Sequence, residues 1–189
     1  FKSKLNKQFF FYKNKPLFEH SLKTALDSKL FKKVIIVSNK KIKKIGYKNI
    51  DIIKGGIERY DSTQNALDYL KNKKIKNVFI HDAARPNLSI KLLRKLKKNL
   101  KNNKAVVPYL RSENSVKYRD NRNISNLNRD KVLLTQTPQC FKFKELLNLY
   151  SSNTKKITDE ASLYLNNNKK IKFILGDKDN FKITTIDDL

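Results

Sequence analysis

Asn77-Val78-Phe79-Ile80-His81-Asp82-Ala83-Ala84-Arg85-Pro86 decides how this chain is read. Val78 to Ile80 is a short apolar run of strand type, which stops on a carboxylate and a guanidinium and is then broken by a proline. A strand that ends in charge points to a site, because ligands of open α/β sheets gather at the carboxyl ends of the strands. An aspartate there can hold a hard cation such as Mg²⁺, and a nearby arginine can grip phosphate oxygens in a planar fork. A helix cap with a surface ion pair would look the same over His81 to Pro86, so the rest of the chain has to choose.

On either side, apolar runs alternate with helical patterns. Lys33 to Ser38, Ile50 to Ile53, Ala105 to Tyr109, Val132 to Thr135 and Ile171 to Leu175 have the composition of strands, and Ile53 leads into Gly55-Gly56. Helical stripes run from Leu17 to Leu26 after Pro16, from a cap at Ser62 to Leu70, from Ser89 to Leu100, from Lys142 to Tyr150 and from Asp159 to Leu165. This alternation predicts an α/β fold in which a mostly parallel sheet is covered by helices. Residues 110 to 129 depart from it. They are polar with brief alternation, Ser115 to Tyr118 and Ile124 to Leu127, and read as a two-stranded excursion too small to bury a core alone. Such a hairpin is either a surface feature or an arm that packs on a second subunit.

With 189 residues, 39% of them hydrophobic, the chain fits one domain with a real core. The formal charge of +26 would suit a nucleic-acid or membrane binder. However, the lysines are spread among asparagine and isoleucine, with no arginine-rich tract and no run of stacking aromatics. We therefore read most of the charge as solvated surface with a general attraction for anionic substrates, and expect no specific nucleic acid as partner. Cys140 is alone, which excludes a disulfide framework and suits a reducing cytoplasm. No adjacent base supports it as a nucleophile. The absence of a long apolar run or a signal peptide predicts a soluble protein with no membrane partner. The chain starts at Phe1 and has no methionine, as expected of an excerpt from a longer protein.

Five blocks stand in a fixed order: Gly55-Gly56-Ile57-Glu58-Arg59-Tyr60-Asp61-Ser62, His81 to Pro86, Thr135-Gln136-Thr137-Pro138-Gln139, Thr158-Asp159-Glu160-Ala161 and Asn180-Phe181-Lys182-Ile183-Thr184-Thr185. Together they resemble the 2-C-methyl-D-erythritol 4-phosphate cytidylyltransferases of non-mevalonate isoprenoid biosynthesis, nearly end to end. The resemblance implies a Rossmann-like nucleotidyltransferase fold, a single domain over 1–189 truncated at both ends, and a projecting β-arm over 110–129 that forms a homodimer. It also implies transfer of a cytidylyl group from CTP to a sugar-alcohol phosphate with Mg²⁺.

Carried over by the motifs, Lys7, in Asn6-Lys7-Gln8-Phe9, and Lys182 would stabilise the reacting phosphates. Gly55, Gly56, Ser62 and Asp82 would hold the nucleotide, Asp82 also the metal, and Arg85, Ser115, Arg129, Thr137 and Thr158 the methylerythritol phosphate. Read for itself, Thr158 is equally a helix cap, and Lys182 a solvated lysine in an apolar alternation. The chain departs from the family in three places. Asn114-Ser115 stands for an Asp-Thr pair, Asn6-Lys7 for Pro-Lys, and the glycine-rich triphosphate loop that should precede Phe1 is absent. Related alternatives are a ribitol 5-phosphate cytidylyltransferase and a catalytically inactive basic binding protein. Some family members carry a cyclodiphosphate synthase after this domain, and a fused form of that kind is a further expectation.

Overall fold

A computed structural model of the protein describes residues 7–42, 49–153 and 157–188. Asn6 of the Lys7 block lies outside them. The chain opens with a small hairpin, β1 (Phe11–Tyr12) and β2 (Lys15–Pro16), followed by α1 (Leu17–Asp27), β3 (Val34–Val37), β4 (Ile50–Ile53), α2 (Arg59–Leu70) and β5 (Asn77–Ile80). Then come α3 (Ile90–Leu100), β6 (Ala105–Arg111), β7 (Val116–Asp120), β8 (Asn123–Leu127), β9 (Leu133–Thr135), β10 (Gln139–Lys142), α4 (Phe143–Ser152), α5 (Glu160–Asn166) and β11 (Lys172–Leu175).

The main sheet has the order β11-β6-β10-β5, with β9 also on β6. It is mixed rather than mostly parallel. β11 runs parallel to β6, whereas β10 is antiparallel to both β5 and β6. β10 is the strand that the apolar pattern does not announce. Gln139 and Lys142 flank only Cys140 and Phe141, yet Gln139, Cys140 and Phe141 are buried. β3 and β4 form a separate parallel pair, with Val34 opposite Ile50.

Side-chain alternation divides the core between the faces of the sheet. Ala105, Val107 and Phe141 pack with Leu67 of α2, Leu146 and Tyr150 of α4, and Leu163 and Tyr164 of α5. Val106 and Cys140 pack with Leu92, Leu93, Leu96 and Leu100 of α3. That helix starts where expected, because the Ser89 hydroxyl accepts from the Leu92 N–H at 3.1 Å. The start of α2 differs from expectation: Glu58, not Ser62, is its N-cap, and the Glu58 N–H donates to the Asp61 carboxylate at 2.9 Å. Ser62 is thereby inside the first turn and released for another bond.

β7 and β8 pair antiparallel from Val116–Leu127 to Asp120–Asn123, around a turn in which Asn121 takes a φ of 51°. Asn tolerates this left-handed conformation better than most residues. The hairpin is exposed along nearly its whole length, Tyr118 by 54% and Ile124 by 61%.

Candidate active site

The antiparallel register of β10 on β5 pairs Gln139 with Ile80, so two residues beyond the ladder Thr137 comes opposite Asp82. The Asp82 N–H donates to Thr137 Oγ1 at 3.0 Å. Thr137 Oγ1 also lies 3.2 Å from His81 Nδ1, and His81 Nε2 is 3.1 Å from the Arg85 carbonyl oxygen. A carbonyl can only accept, so Nε2 carries the proton and Nδ1 accepts from the threonine hydroxyl. Burial pushes the imidazole down to about 4, which keeps it neutral. Thr137, expected on the sugar phosphate, thus already spends its proton on His81.

Asp82 is the centre of the charges. Its Oδ1 takes Arg59 Nε at 3.2 Å, its Oδ2 takes Lys182 Nζ at 2.9 Å, and Arg85 Nε stands 3.8 Å from Oδ2. Burial alone would raise this carboxyl, but Arg59 and Lys182 outweigh it and hold it at about 2. Lys7 joins the group: burial and the charge of Lys182 lower its pKa, while Asp82 acts the other way. Lys7, Arg59, Arg85 and Lys182 thus gather about Asp82, with Asp188 also acting on Lys7, and present N–H groups suited to phosphate oxygens.

Arg59, which the sequence places only within a block, proves to be the hub. Its Nη1 and Nη2 grip Glu160 at 2.9 and 2.8 Å. Glu160 is fully buried and also accepts from Thr63 Oγ1 at 3.2 Å and from the Tyr150 hydroxyl at 2.9 Å. Burial works against the charge of Arg59, but Glu160 and then Asp82 outweigh it and raise its pKa. The paired acid sits at the first residue of α5, where the helix dipole favours negative charge.

Lys182 lies in a loop, not in a strand, so the alternation around it does not mark a β element. Buried polar side chains hold that loop. Asn180 Nδ2 donates to the Thr137 carbonyl at 2.8 Å, and the Asn180 carbonyl accepts from Arg85 Nη1 at 2.8 Å and Gln136 Nε2 at 3.1 Å. Gln136 Oε1 accepts from the Asp177 N–H, and a Cβ on Gly176 would come within 2.3 Å of that oxygen. Arg85, expected to face substrate, is turned inward as part of this clamp and is only 11% exposed.

At the carboxyl ends of β3 and β4, Gly55 N–H donates to the Ser38 carbonyl at 3.3 Å and Gly56 N–H to Ser62 Oγ at 3.1 Å. Gly56 has no room for a side chain, since a Cβ would meet that of Asp61 at 2.0 Å. Asn39, which sequence reasoning missed, donates Nδ2 to the Gly56 carbonyl at 2.8 Å.

The remaining expected residues stand apart. Thr158 is exposed and 3.1 Å from Ser162 Oγ; the cap of α5 is Asp159, whose Oδ1 accepts from the Ser162 N–H at 2.8 Å. Ser115 and Arg129 are at the base of the arm. Ser115 Oγ accepts from Lys117 Nζ, and Arg129 Nη1 donates to the Glu113 carbonyl at 2.9 Å. Lys178 pairs with the Glu113 carboxylate, tying the arm base to the loop of Lys182. Among the described residues, no hydrogen bond or ion pair joins Ser115 or Arg129 to Asp82.

Among the described residues, no cluster of three or more His, Cys, Asp or Glu side chains could cage a metal ion. Asp82, whose oxygens Arg59 and Lys182 already share, would suit a cation such as Mg²⁺ that takes one carboxylate and draws its other oxygens from phosphates and water.

The comparisons with known proteins agree with this geometry. The family model described as IspD, 2-C-methyl-D-erythritol 4-phosphate cytidylyltransferase, matches residues 1–189. A bifunctional enzyme IspD/IspF of Pelagibacter ubique is 44% identical over 100% of this chain, which spans 52% of that relative's length. The 2-C-methyl-D-erythritol 4-phosphate cytidylyltransferase of Thermosipho africanus is 36% identical over 97% of the chain and 86% of its own length. Among solved structures, the 4-diphosphocytidyl-2C-methyl-D-erythritol synthase of Anaerococcus prevotii superimposes with a TM-score of 0.87 at 30% identity, covering 97% of this chain and 87% of that one. The bifunctional IspDF of Campylobacter jejuni does so at 0.85 and 31%, covering 100% and 49%. A match over the whole chain, in sequence and in fold, means that this chain belongs to the 2-C-methyl-D-erythritol 4-phosphate cytidylyltransferase family of nucleotidyltransferases.

Proposed function

We propose that the protein transfers the cytidylyl group of CTP to 2-C-methyl-D-erythritol 4-phosphate, giving 4-diphosphocytidyl-2-C-methyl-D-erythritol and pyrophosphate. The observation that carries this reading is the pinned group of Lys182, Arg59 and Arg85 about Asp82, with Lys7 beside it. A phosphate oxygen of the sugar forms a bond to the α-phosphorus while the bond to the β-phosphate oxygen breaks. Every reacting group is anionic, so the protein's contribution is positioning together with positive charge that needs no reorganisation. Lys7 and Lys182 aim that charge at the transferring phosphoryl group. Gly55, Gly56 and Ser62 form the base end of the site.

Asp82, with the nucleotide's own phosphates, would hold Mg²⁺, which neutralises triphosphate charge when bound. Arg85, Ser115, Arg129, Thr137 and Thr158 are the proposed surroundings of the sugar phosphate. For Ser115 and Arg129 this places the substrate between the arm base and the Lys182 loop, which the Lys178–Glu113 pair already joins. We place the reaction in the cytoplasm. Among the described residues no helix is long and apolar enough to cross a membrane.

Incubating the full-length protein with CTP and the methylerythritol phosphate is expected to release pyrophosphate in Mg²⁺ and to stop on chelation. No release, or faster release with ribitol 5-phosphate in the parallel reaction, overturns the assignment.

The protein acts as a homodimer through the arm. Tyr118, Ile124 and Leu127 are exposed by 54, 61 and 44%, the first and last on one face of the hairpin and Ile124 on the other, apolar surface that a second subunit would cover. The double variant Tyr118→Asp, Ile124→Asp is expected to sediment as a monomer where the parent is a dimer. A parent that sediments as a monomer at micromolar concentration removes the dimer.

A further inference from the structure

The two glycines that approach the nucleotide have no N–H left for it. Gly55 N–H is bound to the Ser38 carbonyl and Gly56 N–H to Ser62 Oγ, while the Gly56 carbonyl takes Asn39 Nδ2. What the turn still offers is carried by two side chains. The bond to the Gly56 carbonyl fixes the amide of Asn39, because that acceptor must face the NH₂ group, and so leaves Oδ1 as an acceptor. Ser62 Oγ accepts from Gly56 N–H and so keeps its own proton to donate. Both oxygens lie 3.2 Å from the point where a Cβ on Gly55 would stand, so they flank a space that only glycine leaves open. Asn39 and the two glycines follow the carboxyl ends of the parallel strands β3 and β4, a usual position for a ligand.

An acceptor beside a donor is the complement of one pyrimidine edge. Cytosine presents its exocyclic amino group, a donor, next to N3, an acceptor. Uracil presents O4, an acceptor, next to N3–H, a donor. We infer that Asn39 is a specificity-determining residue whose Oδ1 accepts from the amino group of cytosine while Ser62 donates to N3; uracil turns an acceptor, O4, towards Asn39 Oδ1, and because the Ser62 hydroxyl can rotate and accept from N3–H through its second lone pair, the discrimination falls on Asn39. This rests on the reading that the base lies at the Gly55–Gly56 turn. A site built to bond a polar group discriminates strongly against the analogue that lacks it, since the site's own groups are then left unpaired.

The test is the ratio of kcat/KM for CTP to that for UTP in the full-length enzyme, with the ratio of Kd for CMP and UMP by calorimetry. Asn39→Ala is expected to lower both ratios about tenfold to a hundredfold, chiefly through loss on the cytosine side. Asn39→Asp retains an acceptor for the base but sets a repelling carboxylate oxygen against the Gly56 carbonyl, so it keeps the preference for cytosine while overall affinity falls. An Asn39→Ala enzyme that weakens on both nucleotides equally would show that Asn39 merely braces the turn, and an Asn39→Asp enzyme as unselective as Asn39→Ala would say the same. Binding of CMP against UMP tests Asn39 even in a protein that fails to turn CTP over, so the inference and the proposed reaction can fall separately.

Discussion

Replacing Lys182 with alanine is expected to lower kcat by about a hundredfold or more, with KM for CTP moving less. A cation held in place before the reaction begins contributes most where charge develops, at the transferring phosphoryl group, and little to ground-state binding that several other lysines share. Lys182 is held in that way. Its ammonium is 2.9 Å from Asp82 Oδ2, and its backbone is fixed by the Ile183 N–H bond to the Ala84 carbonyl at 2.9 Å and by the buried Asn180 and Gln136 side chains. Its side chain is 38% exposed, so the variant is expected to melt close to the parent. Steady-state kinetics and thermal melts together check this. Normal turnover in Lys182→Ala would remove it from the chemistry, and a variant that simply unfolds would assign it to the scaffold.

Glu160→Ala is expected to cost about 3 kcal/mol of stability, because it leaves Arg59 facing a dry cavity together with the Tyr150 and Thr63 hydroxyls that the carboxylate satisfied. For a domain of this size that corresponds to a fall in Tm of about 6–12 °C. The Arg59 side chain is 34% exposed and has Asp82 as a second partner, which keeps the cost towards the lower end for a broken buried pair. Since the same guanidinium orients Asp82, activity falls with stability. The double variant Arg59→Ala, Glu160→Ala should cost distinctly less than the sum of the single ones in denaturant melts, as for two groups that act as a unit. Additive losses would mean that the contact does not hold the two helices together.

Why some of this was legible in the sequence and some was not follows from the range of the interactions. Val34–Val37, Ile50–Ile53 and Asn77–Ile80 are apolar runs, and Ser89 announces α3 with a local cap, so periodicity and turn chemistry find them. β10 escaped because its burial comes from β5 and β6 on either side and not from its own composition. Ser62 misled because a serine ahead of an apolar stripe is a cap by type, while the backbone had already turned at Glu58. The five blocks assign Asp82 and Lys182, whose side chains pair at 2.9 Å, to the same phosphates. They carried no sign that Arg59 and Glu160, which are 101 residues apart, are one bidentate pair. A single acid at the first residue of an otherwise apolar helix face, Ala161, Leu163 and Tyr164, was the one available hint.

The position of β10 also governs the order in which the chain can assemble. β5 and β6 touch β10 and not each other in the ladder, so the nascent chain carries an open β5 edge from residue 80, joined by that of β6 from residue 111, until residues 139–142 emerge. At translation rates of about 5–20 residues per second, that interval lasts for seconds, during which the open strands are templates for any extended segment nearby. The formal net charge of +26, most of it away from the cations gathered about Asp82, would then act as kinetic protection, since like-charged nascent chains repel one another until β10 pairs with both strands.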